Sequence, residues 1–199
     1  METSEVVLGF DLRARAFPSS LETPQYRDRY LYRPDVVSPF TVDPAVWPSL
    51  LQGSENLWAW HFSRSEFQLA DNPEQLRQRF SERLASEELV LLAITAIVGD
   101  DFAQPGDLPG ITGNEPQPAS NWEFLGFDVA DRFLLSAVSN TGFSELPLEK
   151  SKLRSTWGAR LNDKHLLPHR EAAREFKVFA DRATPEHAPF FVFGLWEVK

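Results

Sequence analysis

No cysteine occurs among the 199 residues, which removes disulfides, thiolate nucleophiles and cysteine-held zinc together. Stability then has to come from burial, and a single domain of this length buries roughly 70% of the surface its unfolded chain exposes. A cysteine-free chain suits a reducing compartment, so a cytoplasmic location is expected. The start Met1-Glu2-Thr3-Ser4-Glu5 is acidic and leads directly into a strand-like run, without the positive flank and apolar stretch of an export signal. The longest apolar run, Leu89 to Val98, falls short of the about 20 residues that a helical span requires. No membrane role is expected.

Catalytic signatures are missing as well. No serine sits in a Gly-x-Ser-x-Gly turn. Gly106, Gly110 and Gly113 lack both the Lys-Ser/Thr pair and the strand-to-helix setting of a phosphate loop. No catalytic residue, cofactor or bound nucleotide is therefore expected. Positive charge is also scarce, and unevenly so. Residues 1–98 carry 9 basic and 14 acidic side chains, residues 99–149 carry 1 and 9, and residues 150–199 carry 10 and 6. Of the net −9, the middle quarter alone supplies −8, with Arg132 its single cation. Such a segment opposes nucleic-acid phosphates and attracts a basic partner.

Apolar periodicity and turn residues outline an α+β domain. Alternation from Val6 to Ala16 predicts a strand with Leu8, Phe10, Leu12, Ala14 and Ala16 on one side. Six prolines between 18 and 48 exclude long regular elements there but leave room for short strands near Tyr30–Tyr32 and Val36–Val42, and for a short helix opened by Asp43-Pro44. Leu57 to Phe62 reads as a strand with Trp58, Trp60 and Phe62 on one face. Asn72-Pro73 with Gln75 reads as a capped helix start, continued by Leu76, Phe80 and Leu84. Leu89 to Val98 fits a buried strand.

Residues 99–120 are rich in Gly, Pro, Asp and Asn and aperiodic, which predicts a long exposed loop. A strand is expected at Trp122–Phe127, running into helical spacing through Val129, Phe133, Ala137 and Val138. Further helices are expected around Leu153, Trp157 and Leu161, and around Ala172, Phe176, Phe179 and Ala180. The run Phe190 to Trp196 is apolar on both faces, the pattern of a strand inside a sheet. The expected architecture is one α+β domain over 1–199, with a mainly antiparallel or mixed sheet packed by three to five helices.

Each candidate site has a bland reading beside it. His165 and His169 have the i, i+4 spacing of a helical metal pair, but Pro168 interrupts them and no Glu follows the first histidine. His187 lies in a Pro-Glu-His-Ala-Pro turn, and His61 has neither a serine in a Gly-x-Ser-x-Gly setting nor a cysteine to activate. No metal site is expected. Trp58, Trp60, Trp157 and Trp196 sit on periodic apolar faces and read as core, whereas Trp47 and Trp122 border loops. The basic side chains from Lys150 to Arg174 alternate with acids and read as a solvated face.

The acids of the middle quarter are the most distinctive group. Their spacing does not match a calcium-binding helix–loop–helix, and Asp128 and Asp131 read as caps or ion-pair residues at a strand-to-helix junction. Asp100, Asp101, Asp107 and Glu115, with the neighbouring Trp122, are the partner-binding candidates, set against a plain solvated acidic loop.

Two stretches, Trp122-Glu123-Phe124-Leu125-Gly126-Phe127-Asp128-Val129-Ala130-Asp131-Arg132-Phe133-Leu134-Leu135-Ser136 and Pro185-Glu186-His187-Ala188-Pro189-Phe190-Phe191-Val192-Phe193-Gly194-Leu195-Trp196, resemble a family of bacterial proteins linked to the immunity proteins of polymorphic or type VI secreted toxins. The resemblance covers the second half of the chain and implies a stoichiometric inhibitor whose partner is a cognate, basic toxin domain. The acidic segment agrees, since it would occupy a phosphate-binding surface. The alternatives are a metal-assisted hydrolase drawing on the loop carboxylates with His165, His169 or His187, and a structural or assembly protein.

Overall fold

The computed structural model describes residues 3–14, 69–86, 89–108, 111, 115–132, 136–137, 156–164 and 166–199. The strands and helix expected between 18 and 62, together with His61, Trp47, Trp58, Trp60 and His165, lie outside the described residues.

An eleven-residue strand, β1 (Ser4–Ala14), leads to two short helices, α1 (Pro73–Arg79) and α2 (Ser81–Ala85). Next come β2 (Leu89–Val98), β3 (Glu123–Ala130), a 3-10 turn at Gly158–Arg160, helix α3 (Arg170–Ala183) and β4 (Phe191–Glu197). The four strands form one antiparallel sheet in the order β1-β2-β4-β3. The architecture is α+β. The last strand lies inside the sheet, between β2 and β3, as its two apolar faces demand. All ten residues of β2 are buried for the same reason.

Each face of the sheet has its own core. Val90, Leu92, Ile94, Ala96 and Val98 of β2 join Phe191, Phe193 and Leu195 of β4 on the first face, where Val6, Leu69, Ala103, Leu108 and Ile111 pack against them. On the second face Ile97, Phe127, Val129, Phe190 and Val192 receive Ala172, Ala173, Phe176 and Ala180 of α3. Phe176 follows Ala172 and Ala173 by four and three residues and precedes Ala180 by four, so one stripe of the helix meets the sheet. Full burial of a side chain such as Phe176, 1% exposed, is worth about 1.5–3 kcal/mol.

Four expectations require correction. In β1 the alternation is not continuous: Val7 faces Thr95 and Gly9 faces Ile94, so one residue is extra. Leu8 stays on the first face with Val6, and the bulge shifts Phe10 and Leu12 to the second, with Val7. It forms at Gly9 because Leu69 and Ala70 approach closely there. A Cβ would stand 2.7 Å from Leu69 Cβ and 2.8 Å from the Ala70 carbonyl oxygen. The helix begun at Pro73 is interrupted at Phe80, whose φ of −115° leaves the helical region. Its cap is real: Asn72 accepts from the Glu74 amide at 2.9 Å.

The third correction falls after β3. Val129 belongs to that strand, and the chain returns against it, with Ser136 bridging Ala130 and the Ala137 amide donating to the Val129 carbonyl at 2.7 Å. Strand pairing satisfies these groups in place of the expected helical bonds. Fourth, the helix expected through Leu161 stops early: a 3-10 turn occupies Gly158–Arg160 and Leu161 is already extended.

Both sheet edges are covered in part. Ala70 exchanges backbone bonds with Phe10 on the outer side of β1, and Pro116 accepts there from the Val7 amide. On the outer side of β3, Leu167 exchanges bonds with Phe127, and Asn162 donates to the Leu125 carbonyl at 2.7 Å. Covered edges have fewer free groups to template pairing with another chain. Among the described residues, no helix is long and apolar enough to cross a membrane.

Candidate functional site

Three of the sequence-predicted carboxylates, Asp100, Asp101 and Asp107, fall on a stretch of turns and isolated bridges that backbone bonds hold in place. After β2, the Gly99 amide bonds the Ala103 carbonyl, the Phe102 amide the Gly99 carbonyl, and the Ala103 amide returns to Ile97. Gln104 donates through its side chain to the Gly99 carbonyl at 2.7 Å, and Asp107 Oδ2 accepts from the Gln104 amide at 2.8 Å. Ala103 and Leu108 are each 1% exposed, and this burial pins the turn to the first core. Asp100, Asp101 and Asp107 stay on its exposed side.

Glu115 and Trp122 lie elsewhere. Glu115 is half-buried beside Pro116, which is fastened to β1. Trp122 is half-buried and packs edge-to-face on Phe10 at 5.6 Å between centroids. Phe10 pairs with Ala93, whereas the acidic turn follows Val98, a separation of roughly 17 Å along β2 at the rise of a strand. Asp100, Asp101 and Asp107 therefore share one turn, and Trp122 stands apart from it.

Two acids of the middle quarter are met by cations of the basic last quarter. Arg174 of α3 pairs with Asp101 at 2.9 Å and Lys199 with Glu123 at 2.7 Å. The Glu123 carboxylate, by its hydrogen bond and then its charge, raises the Lys199 ammonium above its ordinary 10.5. Asp128 Oδ1 accepts from the Val129 amide and the Ser136 hydroxyl, both at 2.7 Å, so it fastens the return after β3. His187 Nδ1 lies 3.7 Å from the buried Asp131. His169 is the N-cap residue of α3. Among the described residues no three His, Asp or Glu side chains converge in the manner of a metal site.

A second group was not anticipated from the sequence. On the second face the residues Ala93, Thr95 and Gly194 are small and neighbouring, which leaves a trough beside the N-terminal end of α3. Glu5, 13% exposed at its side chain, reaches across this trough from β1. Its Oε1 accepts from the Thr95 hydroxyl at 2.6 Å and from the Trp196 indole N–H at 2.7 Å. One carboxylate thus ties β1, β2 and β4 together. Glu5 Oε2 is 3.9 Å from Arg170 Nη2.

Around this group opens a cleft of about 510 Å³ lined by Thr3, Ser4, Glu5, Gln117, Pro118, Arg170 and Trp196. Thr3 also lies against Gly99, so the cleft borders the acidic turn. A signal for it did exist in the sequence: Thr95 is the one polar residue in β2, and Gly194 interrupts the bulky run of β4. Neither says which groups meet above them.

Comparison of the chain with known protein families, curated proteins and solved structures found no match.

Proposed function

We propose that this chain is a protein-binding module of the immunity type, which blocks a basic toxin domain by stoichiometric occlusion through the turn that bears Asp100, Asp101 and Asp107. The observation that carries this reading is the anchoring of that turn. Its backbone bonds close on themselves, Ala103 and Leu108 are buried beneath it, and three carboxylates remain exposed. Carboxylates held in place by a fixed backbone meet a cationic surface with little ordering cost, and their field speeds encounter. The resemblance of residues 122–136 and 185–196 to proteins linked to toxin immunity points the same way from a different part of the chain. Cytoplasmic residence in the toxin-producing cell belongs to this proposal.

The test is complex formation with the product of the adjacent toxin gene, followed by titration calorimetry across a salt series. The triple variant Asp100→Asn, Asp101→Asn, Asp107→Asn keeps the acceptor oxygens of the turn while removing its charge. Binding should weaken by about tenfold or more, with a shallower salt dependence, as expected when complementary charges are removed. Unchanged affinity would eliminate this surface, and absence of any complex would eliminate the immunity reading.

A further inference from the structure

A carboxyl group on the helix-covered face of an apolar sheet needs an explanation, because burying it is costly unless its oxygens are satisfied. Oε1 of Glu5 is satisfied twice, by Thr95 and Trp196. Oε2 is not held in the same way. Its distance of 3.9 Å to Arg170 Nη2 exceeds the 2.7–3.2 Å range of an N–H···O hydrogen bond. Arg170 is not explained by its helix either. It occupies the first turn of α3, where a cation opposes the helix dipole. Carboxylate and guanidinium therefore form a loose ion pair without a direct hydrogen bond, and both line the cleft, so a group in the cleft can touch the two from the side.

The chemistry of that pair selects what can touch both groups. A cation would be favoured by Glu5 and repelled by Arg170, and an anion the reverse. A hydroxyl suits both at once, since it donates one proton and accepts through its lone pairs. The remaining lining has the same character: Thr3 brings a hydroxyl, Gln117 a side-chain amide, and Pro118 and Trp196 apolar surface. The volume of about 510 Å³ lies within the range of roughly 300–1,000 Å³ found for small-ligand sites.

We propose that the Glu5 cleft binds a neutral polyhydroxylated ligand of the saccharide class, with one ligand hydroxyl donating to Glu5 Oε2 and accepting from Arg170. The Thr95 and Trp196 bonds hold the carboxylate ready, so the contact forms without rearrangement of the sheet. Gln117 and the hydroxyl of Thr3 serve the other hydroxyl groups of the ring. The site is independent of the toxin-binding reading, and either can fail without the other.

Saturation-transfer NMR on the full chain tests it, with glucose, galactose, mannose and N-acetylglucosamine as probes and inorganic phosphate and methylammonium as charged comparators. At least one sugar should receive saturation from the wild-type protein. Its affinity should fall about tenfold in Glu5→Gln and in Arg170→Leu, the loss of one hydrogen bond to a charged group. Arg170 lies partly exposed at a helix end, so its variant reports on the cleft even if Glu5→Gln weakens the fold. Transfer to none of the sugars would overturn the proposal. So would a sugar signal that is unchanged in Arg170→Leu, or stronger transfer to phosphate or methylammonium than to every sugar.

Discussion

Gly194 is small for a reason that lies on two other strands. A Cβ there would collide with Glu5 Oε1 and Thr95 Oγ1 and stand 3.1 Å from Trp196 Nε1. Gly194→Ala must therefore displace the carboxylate that joins β1 to β4. Overpacking combined with a disturbed buried hydrogen-bond group should cost about 1–3 kcal/mol, measurable by urea unfolding. Lys199 gives a residue-scale test of a different kind. Its ammonium titrates above 10.5 because Glu123 accepts its hydrogen bond and favours the charged form. A cation whose pKa is higher in the folded state adds stability that is complete below pH 10.5 and is lost as pH rises through the folded value. In Glu123→Gln the Lys199 Nζ titration, followed by NMR, should return toward 10.5.

At the scale of elements, the edges of the sheet depend on short segments that carry no regular structure. Asn162 holds the segment beside β3: its Nδ2 donates to the Leu125 carbonyl at 2.7 Å, and its Oδ1 accepts from the Lys164 and Leu166 amides at 3.0 Å each. Asn162→Ala removes all three bonds and should destabilise the fold by about 1–3 kcal/mol. With β3 less protected, it should also raise self-association in light scattering. Helix α1 is simpler. Its cap rests on the Asn72 oxygen and the Glu74 amide, so Asn72→Ala should cost about 1 kcal/mol, read from the shift of the urea midpoint. The cap was legible in three residues because capping is local. The bulge at Gly9 was not, since its cause is the approach of Leu69 and Ala70, some sixty residues away.

For the whole molecule, charge counted along the chain and charge presented in space differ. The middle quarter is acidic, yet Asp101 and Glu123 meet Arg174 and Lys199 from the basic last quarter. The field of the turn is therefore weaker than its composition implies. Under the proposed function, Arg174→Ala should unmask Asp101 and speed association with a basic partner at low salt. Stopped-flow rates that are unchanged or lower would count against steering by this surface.

Local and periodic information carried much of the fold. The start of α1, the apolar stripe of α3, the burial of β2 and the interior position of β4 all follow from residues close in sequence, because each depends on a helix or strand repeat or on a cap. What depends on distant residues arose only on folding: the bulge in β1, the pairing that replaces a helix after Val129, the anchored turn at 99–108 and the meeting of Glu5, Thr95, Arg170 and Trp196. Their contacts span up to 191 positions, and no short window of sequence contains both partners. Burial and hydrogen-bond satisfaction act on groups that are near in space, and strand order decides which groups those are.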